Sequence, residues 1–313
     1  RPPLFSSYVR CVYETGASAR NVAQSLALTS ADKCLNIMPL FHIHGLIAAV
    51  LGSMHAGACV SCTPGFNALK FFNWLEEVRP TWYTGVPTMH QAILSRAGRN
   101  REIIDSVKLR FLRSSSASLP PKVMVELEQT FDAPVIEAYG TTEAAHKMAC
   151  NPLPRGNQTP GAVGLAAGAK VSSMNQQGDH RAGGEIGEVA IQGENVTAGY
   201  LSNETANATA YTVGWFRTGD QGRLDDEGYL TLTGRLKEII NRGGEKISPR
   251  EVDEILLDHE SVAQVVTFAI PHEKLGEEVA AAIVLEANAE LDEKGLRDYA
   301  ATRLAGFKVP KKV

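Results

Sequence analysis

Short apolar runs alternate with longer amphipathic stretches through the first half of the chain. The short runs predict strands at Cys34–Met38, Ala58–Cys62, Thr81–Thr84, Leu109–Ser114 and Pro134–Ala138. The stretches between them predict helices at Ser18–Leu28, Gly45–His55, Asn67–Val78, Pro120–Phe131 and from Pro87 onward. This alternation is typical of a parallel sheet that helices cover on both faces, which places the chain in the α/β class.

The pattern of apolar positions changes twice after this region. Short alternating strands, such as Glu188–Gln192 and Tyr229–Thr233, lie between Gly-rich turns and predict a β-rich subdomain. Further on, strands at Val262–Ile270 and Val279–Leu285 and a helix near Asp292–Leu304 predict a small α+β domain. The expected divisions are an α/β region over 1–150, a β-rich subdomain over 151–236 and an α+β domain over 237–313, with the last boundary at Leu236–Lys237.

The start of one helix in this last domain has a strong sequence signal. Ser248 can cap the helix, Pro249 fits its first position, and Glu251 completes a Ser-x-x-Glu capping box. Gly243 and Gly244, just before it, allow left-handed backbone angles or a close approach of the backbone to a ligand.

Composition and charge exclude several classes of protein. The 313 residues suffice for about two domains with buried cores. A net charge of −4, with scattered Lys and Arg, provides no basic surface, so we expect no nucleic acid partner. No apolar run approaches the ~20 residues of a membrane span, so we expect no integral membrane segment.

The five cysteines include a Cys59-x-x-Cys62 pair within an apolar run. Without a second pair to complete a zinc site, we interpret these residues as reduced, partly buried strand thiols rather than as a metal or redox site. No secretory signal is visible at Arg1. We therefore expect the cytoplasm, with the peroxisome as the alternative compartment. The sequence leaves the oligomeric state open, with a monomer as the expectation.

Polar residues follow the predicted strands where a parallel sheet binds ligands, beyond the carboxyl ends of the strands. Pro39, Ser115–Ser118 and Gly140–Glu143 all lie there. Glu143 can hold Mg²⁺, although Thr141–Glu143 also suits the capped first turn of a helix.

Four further residues have more than one interpretation. Asp220 can accept hydrogen bonds from both ribose hydroxyls or lie in a polar turn, and Arg235 can bind a nucleotide or form a surface ion pair. His42 and His44 suit a ligand pocket, a core position or a metal pair, although no nearby acid or Cys completes a metal site.

Three stretches, Tyr139–Glu143, Trp215–Asp220 and Gly234–Pro249, together resemble adenylate-forming enzymes, the AMP-binding superfamily that includes acyl-CoA synthetases. The resemblance runs from about Ser18 to Val313. It implies that Glu143 binds Mg²⁺, that Thr142 contacts phosphate, and that Arg235 helps to position the nucleotide in catalysis.

The same resemblance implies roles for other residues. The nucleotide, as ATP or AMP, would be bound by Ser116, Ala117, Ser118, Glu137, Ala138, Tyr139, Gly140, Thr141 and Asp220. Lys237 would be the hinge of the small domain, and Gly243 and Gly244 would line the channel for coenzyme A. His42 or His44 would line the acyl pocket.

The substrate is indicated by polar residues near this pocket. Ser114, Ser116 and His146 are donors that could pair a second carboxylate, and His146 is expected on one helix face with Glu143. Thr142–His146, Cys150–Pro154, Ser114–Ser118 and Ile240–Lys246 resemble the branch that activates oxalate. The resemblance implies a ligase that joins a small carboxylic acid to coenzyme A through an acyl-adenylate.

Three alternatives stay open: the same chemistry on another small, aromatic or medium-chain acid, an adenylation domain that loads a carrier protein, and a truncated AMP-binding form without turnover. The last is favoured by two departures from the family pattern. The phosphate loop is not found in Arg1–Gly16, where Arg1-Pro2 matches only its tail, and the catalytic Lys is expected beyond Val313.

Overall fold

A computed structural model describes residues 4–153 and 161–313. Arg1, Pro2 and Pro154, which entered the predictions above, lie outside these residues. The chain divides into two compact units, which we call unit one (residues 1–218 and 223–231) and unit two (residues 219–222 and 232–313). The division into three domains stays a prediction.

A seven-stranded sheet forms the centre of unit one, in the order β2-β1-β3-β4-β5-β6-β7. The strands are β1 (Lys33–Asn36), β2 (Cys59–Cys62), β3 (Trp82–Gly85), β4 (Phe111–Ser115), β5 (Val135–Tyr139), β6 (Ala149–Cys150) and β7 (Leu165–Ala166). The first five in spatial order are parallel, as predicted, and β6 and β7 extend the sheet antiparallel.

Helices cover both faces of this sheet. They are α1 (Leu4–Ser25), α2 (Gly52–His55), α3 (Phe71–Val78), α4 (Pro87–Ala97), α5 (Arg101–Ser106) and α6 (Pro121–Phe131), with a π-helix over His44–Leu51 and 3₁₀ turns over Gly98–Asn100 and Thr142–Ala144. Phe111 of β4 belongs to a core cluster with Val22 of α1, whereas its neighbour Leu112 packs in a cluster with Phe72 of α3. Side chains of one strand therefore fill two separate layers, and the predicted α/β class is confirmed.

Three local predictions for this region are wrong. Helix α1 begins at Leu4 rather than Ser18. Most of the predicted helix at 45–55 is the π-helix, where a Cβ on Gly45 would lie 2.4 Å from the Pro39 carbonyl oxygen. Cys59 and Cys62 are exposed rather than partly buried, because β2 is the edge strand of the sheet.

A second sheet contains β8 (Lys170–Met174), β9 (Gly187–Gln192), β10 (Tyr211–Thr212), β11 (Trp215–Leu224) and β12 (Leu230–Arg235), and α7 (Glu204–Ala210) precedes β10. Its order is β10-β11-β9-β8, with β12 paired to β11. The predicted β-rich pattern after residue 150 is thus present in the fold.

Unit two has its own sheet and core. Its elements are β13 (Ile240–Arg242), β14 (Glu245–Ile247), α8 (Pro249–Leu257), β15 (Val262–His272), β16 (Gly276–Leu285) and α9 (Glu293–Ala301). The strands lie in the order β14-β13-β16-β15, and Val252 of α8 and Leu296 of α9 are buried in one cluster with Ile240. The pattern matches the predicted α+β arrangement.

The capping box predicted for α8 does not form, although Pro249 does open the helix. The Ser248 hydroxyl donates to the Thr233 carbonyl instead, and the Glu251 carboxylate accepts from Lys308 Nζ at 2.6 Å. Both side chains are drawn into tertiary contacts within unit two. Across the described residues, no helix combines the length and apolar character needed to cross a membrane.

Candidate functional site

The carboxyl ends of β1, β3, β4 and β5 meet at one edge of the seven-stranded sheet, as parallel strands require. The segments that follow these strands carry most of the predicted site residues of unit one. His44 comes after β1, Ser116 follows β4, and Thr141–Glu143 follow β5. The structure therefore gathers residues that are far apart in the sequence.

Arg113, the third of the five residues of β4, is the centre of this edge. It is fully buried, and its Nη1 donates to His44 Nε2 at 3.0 Å. Its Nη2 donates to His146 Nε2 at 2.6 Å. The two imidazoles are nearly parallel, with ring centroids 5.4 Å apart. A guanidinium thus holds two histidines that the sequence analysis assigned to one substrate pocket.

The hydrogen bonds fix the protonation of His44. Because a guanidinium can only donate, Nε2 must accept, and the neutral ring carries its proton on Nδ1. That nitrogen lies 3.0 Å from Ser116 Oγ, to which it donates. Burial, and then the charge of Arg113, hold the pKa of His44 and that of His146 well below their ordinary value.

Positive charge in this region is not balanced by a nearby acid. Among residues 4–153 and 161–313, the Arg113 guanidinium donates hydrogen bonds only to the uncharged His44, Thr84 and His146, and neither Arg113 nor Lys147 forms an ion pair. Lys147 is also fully buried. Burial lowers the pKa of Arg113 to about 10 and lowers that of Lys147. Uncompensated buried charge is costly, so the arrangement suits an anionic ligand.

The remaining predicted acid-binding residues are placed differently. The half-buried His42 accepts the backbone N–H of His44 on Nδ1 at 3.1 Å, so it lies beside the buried histidine. Ser114 is adjacent to Arg113 in a strand, and alternation puts it on the opposite face of the sheet. The structure therefore does not bring Ser114 together with the two imidazoles.

A tight turn follows β5 and orients His146. A Cβ on Gly140 would lie 1.2 Å from the His146 carbonyl oxygen, so only glycine fits there. Ala145 and His146 have φ of 45° and 95°, which L-residues rarely adopt. The expected helix face shared by Glu143 and His146 is therefore wrong, because the helical turn ends at Ala144 and His146 turns into the core.

Glu143 stands on the accessible side of this turn. Its Oε1 accepts the Tyr200 hydroxyl at 2.8 Å, and burial together with Glu143 raises the pKa of Tyr200 to about 12. In the described chain no cluster of His, Cys, Asp and Glu could hold a metal alone. One carboxylate with the exposed Thr142 hydroxyl nearby fits Mg²⁺, which is usually held by one or two carboxylates plus substrate phosphates.

The other predicted nucleotide residues of unit one fall into two groups. Ser116, Ala117 and Ser118 form an exposed loop after β4, and Ser116 has a φ of 75°. By contrast Glu137, Ala138 and Tyr139 are buried in β5. The Glu137 carboxylate accepts the Leu119 N–H at 3.0 Å, so this side chain holds the end of the exposed loop.

The five remaining predicted residues all lie in unit two. Arg235 Nε donates to Asp220 Oδ1 at 2.8 Å, which brings the two predicted nucleotide contacts together. Lys237 is exposed in the turn that follows. Gly243 and Gly244 form the turn between β13 and β14 with φ of 61° and 100°, which are the left-handed angles that the sequence predicted for this Gly pair.

The sequence analysis missed Arg113, Lys147 and Tyr200. Arg113 had a signal, since a cation in an otherwise apolar strand, just before a loop of small residues, is unusual. Lys147 follows a predicted site residue directly. Tyr200 had no local signal, because its contact with Glu143 joins positions 57 residues apart in the chain.

Comparison with known proteins finds similarity along most of the chain. The AMP-binding enzyme family matches residues 10–201, and the AMP-binding enzyme C-terminal domain matches residues 251–313. A probable CoA ligase, CCL9, from Humulus lupulus is 47% identical over 95% of this chain and 57% of its own length. An oxalate–CoA ligase from Arabidopsis thaliana is 46% identical over 95% of this chain and 58% of its own length.

A solved structure has the same fold. ATP-bound MatB from Rhodopseudomonas palustris superposes with a TM-score of 0.89 and 28% identity, over 96% of this chain and 60% of that one. This chain therefore spans less than two thirds of each of these three proteins.

Proposed function

The chain belongs to the AMP-binding enzyme family, and we propose that it acts in an ATP-dependent ligase that joins oxalate to coenzyme A. The observation that carries this proposal is the buried Arg113, whose guanidinium donates only to uncharged partners among the residues that the structure describes. An oxalate dianion would supply the missing negative charge. The name of the Arabidopsis relative points to the same acid.

The proposed pocket selects a short acid with two carboxylates. One carboxylate would accept hydrogen bonds from the Arg113 guanidinium and from Ser116 near His44. Both imidazoles are uncharged and accept hydrogen bonds from Arg113, so they hold the guanidinium in place without neutralising its charge. An apolar acid would leave the buried cation unpaired, and sites with buried polar groups reject such analogues strongly.

The second carboxylate would carry out the first chemical step. One of its oxygens attacks the α-phosphorus of ATP and forms the oxalyl-adenylate. The bond between the α-phosphorus and the oxygen that bridges to the β-phosphate breaks, and pyrophosphate leaves. Thr142 would donate to phosphate oxygens, and Glu143 would hold Mg²⁺, whose charge offsets that of the phosphates. Asp220 would accept hydrogen bonds from the ribose hydroxyls, beside Arg235.

The second step would use coenzyme A. Its thiol, on losing a proton, attacks the adenylated carbonyl carbon, and AMP leaves as oxalyl-CoA forms. We propose that unit two turns about Lys237 between the steps, and that Gly243 and Gly244 line the path of the pantetheine chain. The five thiols are free, which suits a reducing compartment, so the cytoplasm, or alternatively the peroxisome, stays our expectation.

Pyrophosphate release from Mg-ATP with a panel of oxalate, malonate, octanoate and benzoate, with and without coenzyme A, tests the proposal. Equilibrium binding of each acid is measured in parallel, because binding does not depend on turnover. Oxalate should bind most tightly and support release. Preference for octanoate or benzoate would overturn the oxalate assignment, and preference for malonate would keep the ligase but change its acid.

A further inference from the structure

The hydrogen bond from Tyr200 to Glu143 has no role in the reaction as proposed above. Tyr200 Oη donates to Glu143 Oε1 at 2.8 Å. The second carboxylate oxygen, Oε2, has no hydrogen bond to any residue that the structure describes. One oxygen of the proposed magnesium ligand is therefore occupied by protein, and the other is available.

Tyr200 ends a segment that runs along the turn after β5, and we call residues 193–200 the strap. Asn195 Nδ2 donates to the carbonyls of Ala144 at 2.8 Å and Lys147 at 2.7 Å. The Thr197 N–H donates to the Glu143 carbonyl at 2.7 Å. The strap thus holds the backbone of this turn as well as the carboxylate.

The backbone of Tyr200 is itself fixed by Asn207 of α7. Asn207 Oδ1 accepts the Tyr200 N–H at 2.7 Å, and its Nδ2 donates to the Tyr200 carbonyl at 2.9 Å. Gly199 has a φ of 152°, and a Cβ there would lie 2.9 Å from Asn207 Oδ1. The Tyr200 ring also packs edge-on against Phe216. The hydroxyl is therefore presented from a rigid support.

We propose that Tyr200 is a positioning residue whose hydroxyl orients the Glu143 carboxylate, so that Oε2 alone binds the Mg²⁺ of the nucleotide. This rests on the proposed metal role of Glu143. Mg²⁺ demands near-ideal octahedral geometry, and a carboxylate free to rotate would bind it less well. Partners that orient a metal ligand typically contribute about 10–100-fold to metal affinity.

The test compares the affinity of a non-hydrolysable ATP analogue in Mg²⁺ with its affinity in EDTA, and the ratio is the magnesium gain. Tyr200→Phe should lower this gain about tenfold. It should leave the affinity in EDTA and the thermal midpoint unchanged. Glu143→Gln should abolish the gain. Tyr13→Phe is the matched control, because Tyr13 is 73% exposed and lies on α1.

Two further variants separate the possible outcomes. Asn207→Ala should lower the gain by acting through Tyr200, and Tyr200→Phe combined with Glu143→Gln should match Glu143→Gln alone. A full gain in Tyr200→Phe, or an additional loss in the double variant, would overturn the positioning role. Absence of a gain in the wild type would instead overturn the metal role of Glu143, and the inference with it.

Discussion

Arg113 shows how the charge of a single residue limits what the site can bind. A buried guanidinium normally has a carboxylate partner, because desolvation of an unpaired charge costs several kcal/mol. Here its partners are two imidazoles whose pKa values are held down by burial and by Arg113 itself. An anionic ligand would relieve this imbalance, so binding and stability should respond to Arg113 in opposite directions.

Replacing Arg113 by a residue of similar length without charge tests this argument. Arg113→Met should weaken oxalate binding by at least about 100-fold, because the paired carboxylate would be left without its cation. The free energy of unfolding of the ligand-free chain should stay constant or rise by about 1 kcal/mol. Calorimetric titration and urea unfolding measure the two effects. A large loss of stability with little loss of binding would contradict the ligand role.

At the scale of residues, the sequence predicted which side chains share the candidate acid site better than it predicted the contacts between them. It grouped His44, Ser116 and His146, and the structure joins these residues through one hydrogen bond and one ring stack. It missed Arg113 because a strand pattern marks a charged position as exposed unless a buried partner is known. Ser114 was grouped with them as a polar donor beside the predicted nucleotide loop, although strand alternation turns it to the opposite face of the sheet.

At the scale of elements, the position of His146 depends on the backbone angles of the turn after β5. Two consecutive L-residues with positive φ carry His146 toward Arg113. Such conformations cost roughly 1–3 kcal/mol each and persist only where the surroundings enforce them. The close contact between Gly140 and the His146 carbonyl is one such constraint, since it leaves no room for a side chain.

Gly140→Ala should therefore displace this turn. We expect a loss of more than about 2 kcal/mol of stability, or a turn that no longer brings His146 to Arg113, with oxalate binding lost in either case. Gly16→Ala is the control, because a Cβ on Gly16 in α1 meets nothing within 4 Å. That helical substitution should stabilise the protein by up to about 1 kcal/mol. Unchanged oxalate binding in Gly140→Ala would contradict the argument.

The predicted strands lie within a few residues of their positions in the structure, because strand periodicity is a local property, whereas α1 begins at Leu4 rather than Ser18. The predictions failed where tertiary contacts determine the local structure. Gly45, in the first turn of the π-helix, packs so closely against Pro39 that a Cβ there would lie 2.4 Å from the Pro39 carbonyl oxygen. Ser248 satisfies the Thr233 carbonyl rather than its own helix. Neither contact can be derived from spacing, since each joins residues whose approach is set by the rest of the fold.

At the scale of the whole molecule, the two units contain buried groups with opposite responses to pH. In unit one, burial lowers the pKa of His90 from 6.5 to about 4. In unit two, burial raises the pKa of Asp253 from 3.8 to about 6. Between pH 4 and 6.5 the unfolded chain binds more protons at His90, whereas the folded chain binds more at Asp253.

Acidification should therefore destabilise unit one and stabilise unit two. From pH 7.5 to 5.5, the free energy of unfolding of unit one should fall by about 1 kcal/mol through protonation of His90, and His44 and His146 act in the same direction. The free energy of unfolding of unit two should rise by about 0.5 kcal/mol through Asp253, after allowance for the partial exposure of this residue. Fluorescence reports unit one, since Trp74, Trp82 and Trp215 all lie there.

Hydrogen exchange of the β15 amides reports unit two in the same samples. His90→Asn should reduce the acid sensitivity of unit one without altering exchange in β15. Asp253→Asn should make β15 more protected at pH 7.5 and leave its protection nearly unchanged at pH 5.5, because the neutral amide carries no burial penalty at either pH. If both units weakened together on acidification in every variant, titration of these two groups would not be the cause.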